Sequence, residues 1–366
     1  MKFSISREAL LKPLQAVIGV VERRQTMPIL SNVLLVAKNG ALSVTGTDLE
    51  VELIADAEVD KVDVPGEITV PGRKLLEITR ALAAGARITI GLEGDRLVIK
   101  SGRSRFVLST LPAAEFPQVE KIDASSRLRL SQAAVARLLD KTQFSMAQQD
   151  VRYYLNGLLL ETSKKRLRAV ATDGHRLALA EISIDNQDVT AGQVIVPRKG
   201  VLELHRLLGG GEDVELAIGS NHIRATLDGI RFTSKLIDGR FPDYERVIPS
   251  EKATTLTADR ESLRSALQRA AILSNEKYRG VRLEIGKGTL QIQANNPDQE
   301  EARDEIEVSY DGDAIEIGFN VTYLLDAMAA VDGEQVEIDF VDANSSCLIR
   351  SDKASHAKYV VMPMRL

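Results

Sequence analysis

The sequence predicts an α+β protein of three repeated domains, each built of two helix-and-sheet halves, and three observations carry that expectation. Capping residues Ser6, Ser131 and Asp259 open three amphipathic segments at intervals of 125 and 128 residues. A Phe-Pro pair recurs 125 residues apart, as Phe116-Pro117 and Phe241-Pro242. The stretch Thr172-Asp173-Gly174-His175-Arg176-Leu177, set between apolar runs, has a counterpart in Thr47-Asp48-Leu49-Glu50 and a fainter one at Asn295-Asn296. A repeat of this period is read before function, because it sets the architecture. The expected domains are residues 1-120, 121-250 and 251-366.

Taken in order, Leu10, Leu11, Leu14, Val17, Ile18 and Val21 recur at helical spacing behind Ser6 and predict a helix ending near Glu22-Arg23-Arg24. β-Branched runs at Val33 to Val36, Leu42 to Thr45 and Val51 to Ile54, with a turn at Asn39-Gly40, read as hairpin strands. A strand from Gly66 to Pro71 leads into a second helix through Leu75, Leu76, Ile78 and Leu82, for which Pro71 suits the first position. Strands at Arg87 to Leu92, Arg96 to Lys100 and Arg103 to Thr110 complete the unit, and Pro112 to Ser126 reads as a linker. The order then repeats: Ala134, Val135, Leu138 and Leu139 behind Ser131, strands at Asn156 to Leu160 and Gln193 to Pro197, then Leu263, Leu267, Ala270 and Ala271 behind Asp259. A last helix forms around Val321, Leu324, Leu325 and Met328.

A chain of 366 residues, 44% hydrophobic and 27% charged, has enough material for two or three cored domains. Its one cysteine, Cys347, excludes an intrachain disulfide, and no stretch approaches the ~20 apolar residues of a membrane span. With no signal-peptide pattern at the N-terminus, a cytoplasmic protein is expected. The net charge of −5 is segregated: the six helical segments sum to +7 and the rest of the chain to −12. Basic or polar residues recur at matching helix ends, with Arg24, Gln149 and Lys277 each 18 residues after their caps. Arg152-Tyr153-Tyr154 places an arginine beside two aromatics, a combination suited to phosphate, sugar or a base. Arg73-Lys74 and Arg198-Lys199 open the second helices of two domains, where backbone N–H groups also attract phosphate; Thr322-Tyr323 replace that pair in the third.

Enzymatic constellations are scarce. Gly209-Gly210-Gly211 follows a helix and reads as a turn, Ile285-Gly286-Lys287-Gly288-Thr289 lacks the spacing of a phosphate loop, and the four histidines have no metal-ligand spacing. Asp173 and His175 leave one catalytic alternative, an acid–base pair, and a ligand-binding repeat scaffold without DNA is another. Asp48 stands at the place of Asp173 without a histidine nearby, which favours a scaffold role for the aspartate. Lys100, Arg103 and Arg105 beside Phe106 and Leu108 face, in character, the acidic run Asp298 to Glu307 with Ile272 and Leu273; such ends suit a heterologous contact that closes into a ring.

Across the whole chain the sequence resembles the bacterial DNA sliding clamps, the beta subunit of the replicative DNA polymerase. The resemblance rests on Ala147-Gln148-Gln149-Asp150-Val151-Arg152-Tyr153-Tyr154-Leu155-Asn156-Gly157, Ala171 to Leu177, Phe241-Pro242-Asp243-Tyr244, Asn275-Glu276-Lys277-Tyr278-Arg279-Gly280 and Tyr359-Val360-Val361-Met362-Pro363-Met364-Arg365-Leu366. It implies three domains of the DNA-clamp type, each two helices packed on antiparallel sheets, closing into a ring as a head-to-tail dimer. Such a ring encircles duplex DNA and tethers replicative and translesion polymerases, the clamp loader, mismatch-repair and ligase-type proteins through short linear peptides, with no cofactor and no membrane. Carried over by residue, the DNA contacts fall on Arg24, Arg73, Gln149, Tyr153 and Tyr154, with Lys74, Arg198 and Lys199 as neighbours. The peptide pocket falls on Leu155, Thr172, Gly174, His175, Arg176, Leu177, Pro242, Arg246, Val247, Val360, Met362 and Met364, with Arg152, Asn320, Tyr323 and Ser346 nearby. The dimer interface falls on Arg96, Arg103, Arg105, Phe106 and Leu108 against Ile272, Leu273, Gln299, Glu300 and Glu301.

Overall fold

Each domain-opening helix starts on its capping residue. The Ser6 hydroxyl accepts the N–H of Ala9 at 3.2 Å, Ser131 that of Ala134 at 3.1 Å, and the Asp259 carboxylate that of Ser262 at 2.8 Å. Each cap satisfies one of the N–H groups that a helix start leaves unpaired. The computed structural model describes residues 1–21, 27–119, 123–184, 189–209, 211–249 and 253–365. Among these residues there are six α-helices: α1 (Arg7–Val17), α2 (Gly72–Ala81), α3 (Gln132–Asp140), α4 (Arg198–Leu207), α5 (Arg260–Ala271) and α6 (Val321–Ala330).

The residue after each cap then ties the paired helix. Arg7 donates to the carbonyls of Thr79 and Arg80 at the end of α2, both at 3.1 Å, and Arg260 to that of Val331, after α6, at 2.8 Å. Gln132 does the same job with an amide: its Oε1 accepts the N–H groups of Gly209 and Gly211, just past α4. Cations at helix C-termini also meet the negative end of the helix dipole. Arg206 near the end of α4 supplies one to α1, donating to the Ala16 carbonyl at 2.6 Å. A Cβ at Gly19 would come within 2.3 Å of the Glu203 carboxylate beside Arg206, so a side chain there would have to push that carboxylate aside.

The chain divides into two compact units, the first comprising Met1–Ala136, Gln187–Thr190 and Lys199–Leu236, the second Arg137–Asn186, Ala191–Arg198 and Ile237–Leu366. In the first unit a five-stranded sheet runs Lys61–Val64, Lys2–Ser6, Arg87–Glu93, Arg96–Ser101, Ser104–Ser109. An eight-stranded sheet in the same unit runs Ala124–Ser131, Asp213–Gly219, His222–Leu227, Ile230–Lys235, Val51–Glu58, Ala41–Thr47, Asn32–Lys38, Gly66–Pro71. In the second unit the eight-stranded sheet runs Gly192–Pro197, Gly157–Thr162, Arg166–Thr172, Arg176–Ser183, Ala357–Val361, Cys347–Arg350, Gln335–Phe340, Thr254–Asp259. A four-stranded sheet runs Glu301–Glu307, Thr289–Asn295, Gly280–Gly286, Ile315–Asn320. Among the described residues all strand pairings are antiparallel, and each eight-stranded sheet joins strands distant in sequence at one seam. At the first seam Phe232 lies opposite Leu53 and Thr233 opposite Glu52; at the second Tyr359 lies opposite Ala178 and Val360 opposite Leu177. Helices cover one face of each sheet, and the core is aliphatic, with Leu10, Leu14, Leu35, Leu53 and Leu75 fully buried in the first unit and Leu256, Phe319, Phe340 and Tyr359 in the second.

Several expectations need correction. The first helix stops at Val17, where Val20 and Val21 donate to Val17 and Ile18 in tighter i→i−3 turns, and residues 22–24 lie outside the described residues. Helix α3 stops at Asp140 and a 3₁₀ turn, Gln143–Ser145, follows. The linker read as Pro112 to Ser126 ends earlier, because Ala124–Ser131 is a strand. Strands Lys2–Ser6 and Lys61–Val64 are too short and polar to have stood out. Phe116 and Phe241 are buried straps: Phe116 packs on Ile29, Leu30 and Leu34, Phe241 on Leu159, Leu177 and Leu179. The Ile285 to Thr289 stretch is a hairpin turn with Gly288 at φ +75°. Replacing Ser6 with Ala removes the α1 cap without disturbing the sheets, and urea denaturation should show a loss of about 1 kcal/mol.

Candidate functional site

The Thr-Asp turn is built by its own side chains. Thr172 donates its hydroxyl to the Arg176 carbonyl at 2.6 Å and accepts the Gly174 N–H at 3.1 Å, while one Asp173 oxygen accepts the N–H groups of His175 and Arg176 at 2.9 and 3.0 Å. The first domain repeats the pattern bond for bond. Thr47 donates to the Val51 carbonyl at 2.9 Å, and Asp48 accepts from Glu50 and Val51 at 2.9 and 2.7 Å. Both turns pass through a left-handed residue, Leu49 at φ +78° and Gly174 at φ +89°. The third is one residue longer, with Gln299 at φ +65° and Asn296 accepting the Glu300 N–H. Asp173 is thus a turn residue whose second oxygen is also taken, by Arg176 Nε at 3.1 Å, which leaves it poorly placed to serve His175 as an acid–base partner.

Arg176 is the strut behind this loop. Its guanidinium pairs with Asp173 and Asp326, donates to the Phe144 carbonyl at 2.8 Å, and stacks 4.6 Å from the Tyr323 ring centroid. Asp326 and Phe144 were invisible as partners in the sequence, lying 150 and 32 residues away. Arg152 closes the other side: it donates to the Asp173 carbonyl at 3.3 Å and pairs with Asp150 at 2.9 Å. That pairing holds the Asp150 carboxyl down at about 2.

An apolar cluster lies beside the turn. Leu159, Val170, Leu177, Leu179, Ile195, Phe241, Tyr244, Leu348 and Val360 form its buried floor, with Tyr154, Ile237, Val247 and Ile248 partly exposed against it. Two chain segments nearly two hundred residues apart meet here because Arg176–Ser183 and Ala357–Val361 share the second seam. Past that seam Met362 donates to the His175 carbonyl and Met364 to that of Gly318, both at 2.9 Å, and Ser346 donates its hydroxyl to the Val247 carbonyl at 3.1 Å. Leu155 and Thr172 are buried, His175, Gly174, Pro242 and Arg246 exposed, and Met362 and Met364 half-buried. Asn320 caps α6 and donates to the Tyr278 carbonyl at 3.3 Å. The arrangement is an apolar floor with exposed backbone-rich walls, suited to hydrophobic side chains of an extended peptide.

The residues expected to meet DNA divide by unit. In the first, Lys74 is exposed, Arg73 donates to the Val21 carbonyl at 2.8 Å, and Lys199 is ion-paired with Asp48. In the second, Gln149 and Tyr153 are exposed, Tyr153 at 57%, Tyr154 meets Tyr153 edge-on at 5.8 Å, and Arg198 donates to the Met146 carbonyl at 3.4 Å. Arg24 lies outside the described residues. The interface candidates sit on two open edges. Arg103, Arg105, Phe106 and Leu108 lie on or beside the edge strand Ser104–Ser109, next to Arg96 on the adjoining strand, and Val107 there is 44% exposed. Gln299, Glu300 and Glu301 lie at the start of the edge strand Glu301–Glu307, with Ile272, 76% exposed, and half-buried Leu273 after α5.

Helix pairs on antiparallel sheets, repeated three times and joined strand to strand at seams, are the architecture of the DNA-clamp class. The chain belongs to the DNA polymerase III beta subunit family: its N-terminal, central and C-terminal domain models match residues 1–120, 129–243 and 245–365. The beta sliding clamp of Pseudomonas putida is 56% identical over 367 residues, covering all of both chains. The DNA polymerase III subunit beta from Pseudomonas aeruginosa superposes with a TM-score of 0.97 at 54% identity, again over all of both chains. A sliding clamp from the same organism bound to griselimycin gives 0.95 at 55%, with the same full coverage.

The Asp150–Arg152 pair gives a pH test. Since the folded carboxyl titrates below its ordinary value, the pair persists above the usual carboxylate range of about 3.9 and is lost as pH falls toward 2. Carbon NMR of Asp150 should report a midpoint near 2, and Arg152→Ala should return it toward the ordinary value.

Proposed function

We propose that two copies of this chain close head to tail into a ring around duplex DNA, and that the ring is a non-catalytic processivity factor. Its seam groove holds short linear peptides of polymerases, the clamp loader and repair proteins. The reading places three domains, 1-120, 121-250 and 251-366, in each copy and the protein in the bacterial cytoplasm. Among the described residues no helix is long and apolar enough to cross a membrane. Processivity then comes from topology: sparse phosphate contacts from Arg24, Arg73, Gln149, Tyr153 and Tyr154 permit sliding, while closure prevents escape.

One observation carries the ring: the two seams share a register, and each end of the chain carries half of a third. In this repeat Glu52, Leu177 and Glu301 are equivalent, since each pairs with the residue before its Asp or Asn turn: Thr47, Thr172 and Asn295. On the other side of the seams Phe232 and Tyr359 are equivalent, and Phe106 takes that place in the first domain's edge strand. Applied to the open edges, the rule sets Phe106 of one copy opposite Ala302 of another, and Val107 opposite Glu301. It also brings Arg103 and Arg105 toward an acidic strand, which favours this pairing over edge-to-edge contact of like strands.

Three experiments test the reading. Phe106→Cys combined with Ala302→Cys should form interchain disulfides under mild oxidation, because Cα atoms of directly paired strands lie about 4.5–5.5 Å apart. Cys347 is fully buried with its thiol pushed up to about 12, so it adds little background. A failure to crosslink in a protein of dimeric mass would sink the register. The ring, once loaded on nicked circular DNA, should be lost within minutes of linearisation; equal retention on linear DNA would exclude topological binding. Removing Met362 to Leu366 should weaken capture of a polymerase peptide at least tenfold while leaving the dimer intact, since the seam strand Ala357–Val361 remains.

A further inference from the structure

The loop after α5 carries an exposed aromatic and a base with no assigned role. Asn275 organises it: its side-chain oxygen accepts the N–H groups of Lys277 at 2.9 Å and Tyr278 at 3.0 Å, and its carbonyl accepts that of Arg279 at 2.8 Å. Arg279 sits at φ +52° and its guanidinium returns to the Ala271 carbonyl at 3.1 Å, so its charge serves the end of α5. The tip that remains outward is Tyr278, 57% exposed, with the Lys277 ammonium 5.1 Å from its ring centroid. Glu276 beside it is exposed and is the one acid in the tip.

The central domain builds a matching loop. Asp150 accepts the Arg152 N–H at 2.8 Å, Tyr153 stands outward, and the Asn156 carbonyl accepts the first N–H of α4, from Arg198, at 2.9 Å. In the third domain the Arg279 carbonyl likewise accepts the first N–H of α6, from Val321, at 2.8 Å. Both loops are therefore tied at one place, the end of the first helix and the start of the second. Thr322 and Tyr323 occupy the helix start that carries Arg198 and Lys199 in the central domain, so the third domain has moved its positive charge from helix to loop.

From this equivalence we infer that Lys277 and Tyr278 form a nucleic-acid contact of the third domain, Lys277 on a backbone phosphate of DNA and the Tyr278 face on a sugar or base. The inference rests on the DNA-encircling reading above. The Tyr278 side chain holds the Lys277 ammonium against its aromatic face in advance, which lowers the entropic cost of fixing a long side chain on binding.

Anisotropy of a fluorescent duplex with a single-stranded overhang, titrated with the full-length protein between 25 and 200 mM salt, tests it. Lys277→Ala should flatten the slope of log K against log salt by about 0.7–0.9, with the slope retained in Lys277→Arg. Tyr278→Ala should weaken binding about fivefold or more at every salt, and Tyr278→Phe should not. Tyr153→Ala is run alongside. If it weakens binding while Lys277→Ala and Tyr278→Ala match the unmodified protein, the third-domain contact is overturned and the ring reading stands. If none of the three changes binding, the reading of both loops as DNA contacts falls. If Lys277→Ala spares DNA but weakens capture of a partner protein, the tip is a protein contact and the inference is again overturned.

Discussion

An unpaired strand edge is the constraint on which this structure depends. An antiparallel sheet ends on a strand whose outer row of N–H and C=O groups must be paired or left as an open invitation to pair. Within the chain two such edges are answered by two others, Ile230–Lys235 by Val51–Glu58 and Ala357–Val361 by Arg176–Ser183. The groove follows from the same pairing, because only a seam could bring His175 and Met362 within one hydrogen bond.

The two seams, and the open edge at the equivalent position, nonetheless carry different chemistry. Where the second seam has Leu177, the first has Glu52, buried and accepting the Val119 N–H at 3.3 Å, with its carboxyl raised by desolvation. A carboxylate in that place makes a polar joint and not an apolar floor. At the open end the position is Glu301, exposed. One residue in the turn-plus-one position thus distinguishes a sealed joint, a groove and a charged edge, on a shared backbone.

Much of this was legible in the sequence because it is local. Caps, helical stripes, the Phe-Pro straps and the Thr-Asp turn are each set by residues within a few positions of one another, and the 125-residue period multiplies the signal. The seams are not local: nothing near Leu53 announces Phe232. The site shows the same split. Gly174 and His175 could be picked out, but the role of Arg176 as a strut depends on Asp326 and Phe144, and that of Asp173 on hydrogen bonds that a sequence shows only by analogy with Asp48. Lys199 read as a phosphate ligand and is ion-paired with Asp48, a contact between segments 151 residues apart.

The first seam also sets a schedule for synthesis. Val51–Glu58 leaves the ribosome long before its partner Ile230–Lys235 exists, and at roughly 5–20 residues per second the wait is on the order of ten to thirty seconds. Through that interval a nascent chain carries an apolar strand with one edge unpaired, with Leu53 and Ala55 destined for the core. The same wait recurs for Arg176–Ser183 until Ala357–Val361 emerges. A protein assembled by late strand pairing is most vulnerable to misassociation while it is being made, and the crowding of several ribosomes on one message brings identical unfinished edges together at high local concentration.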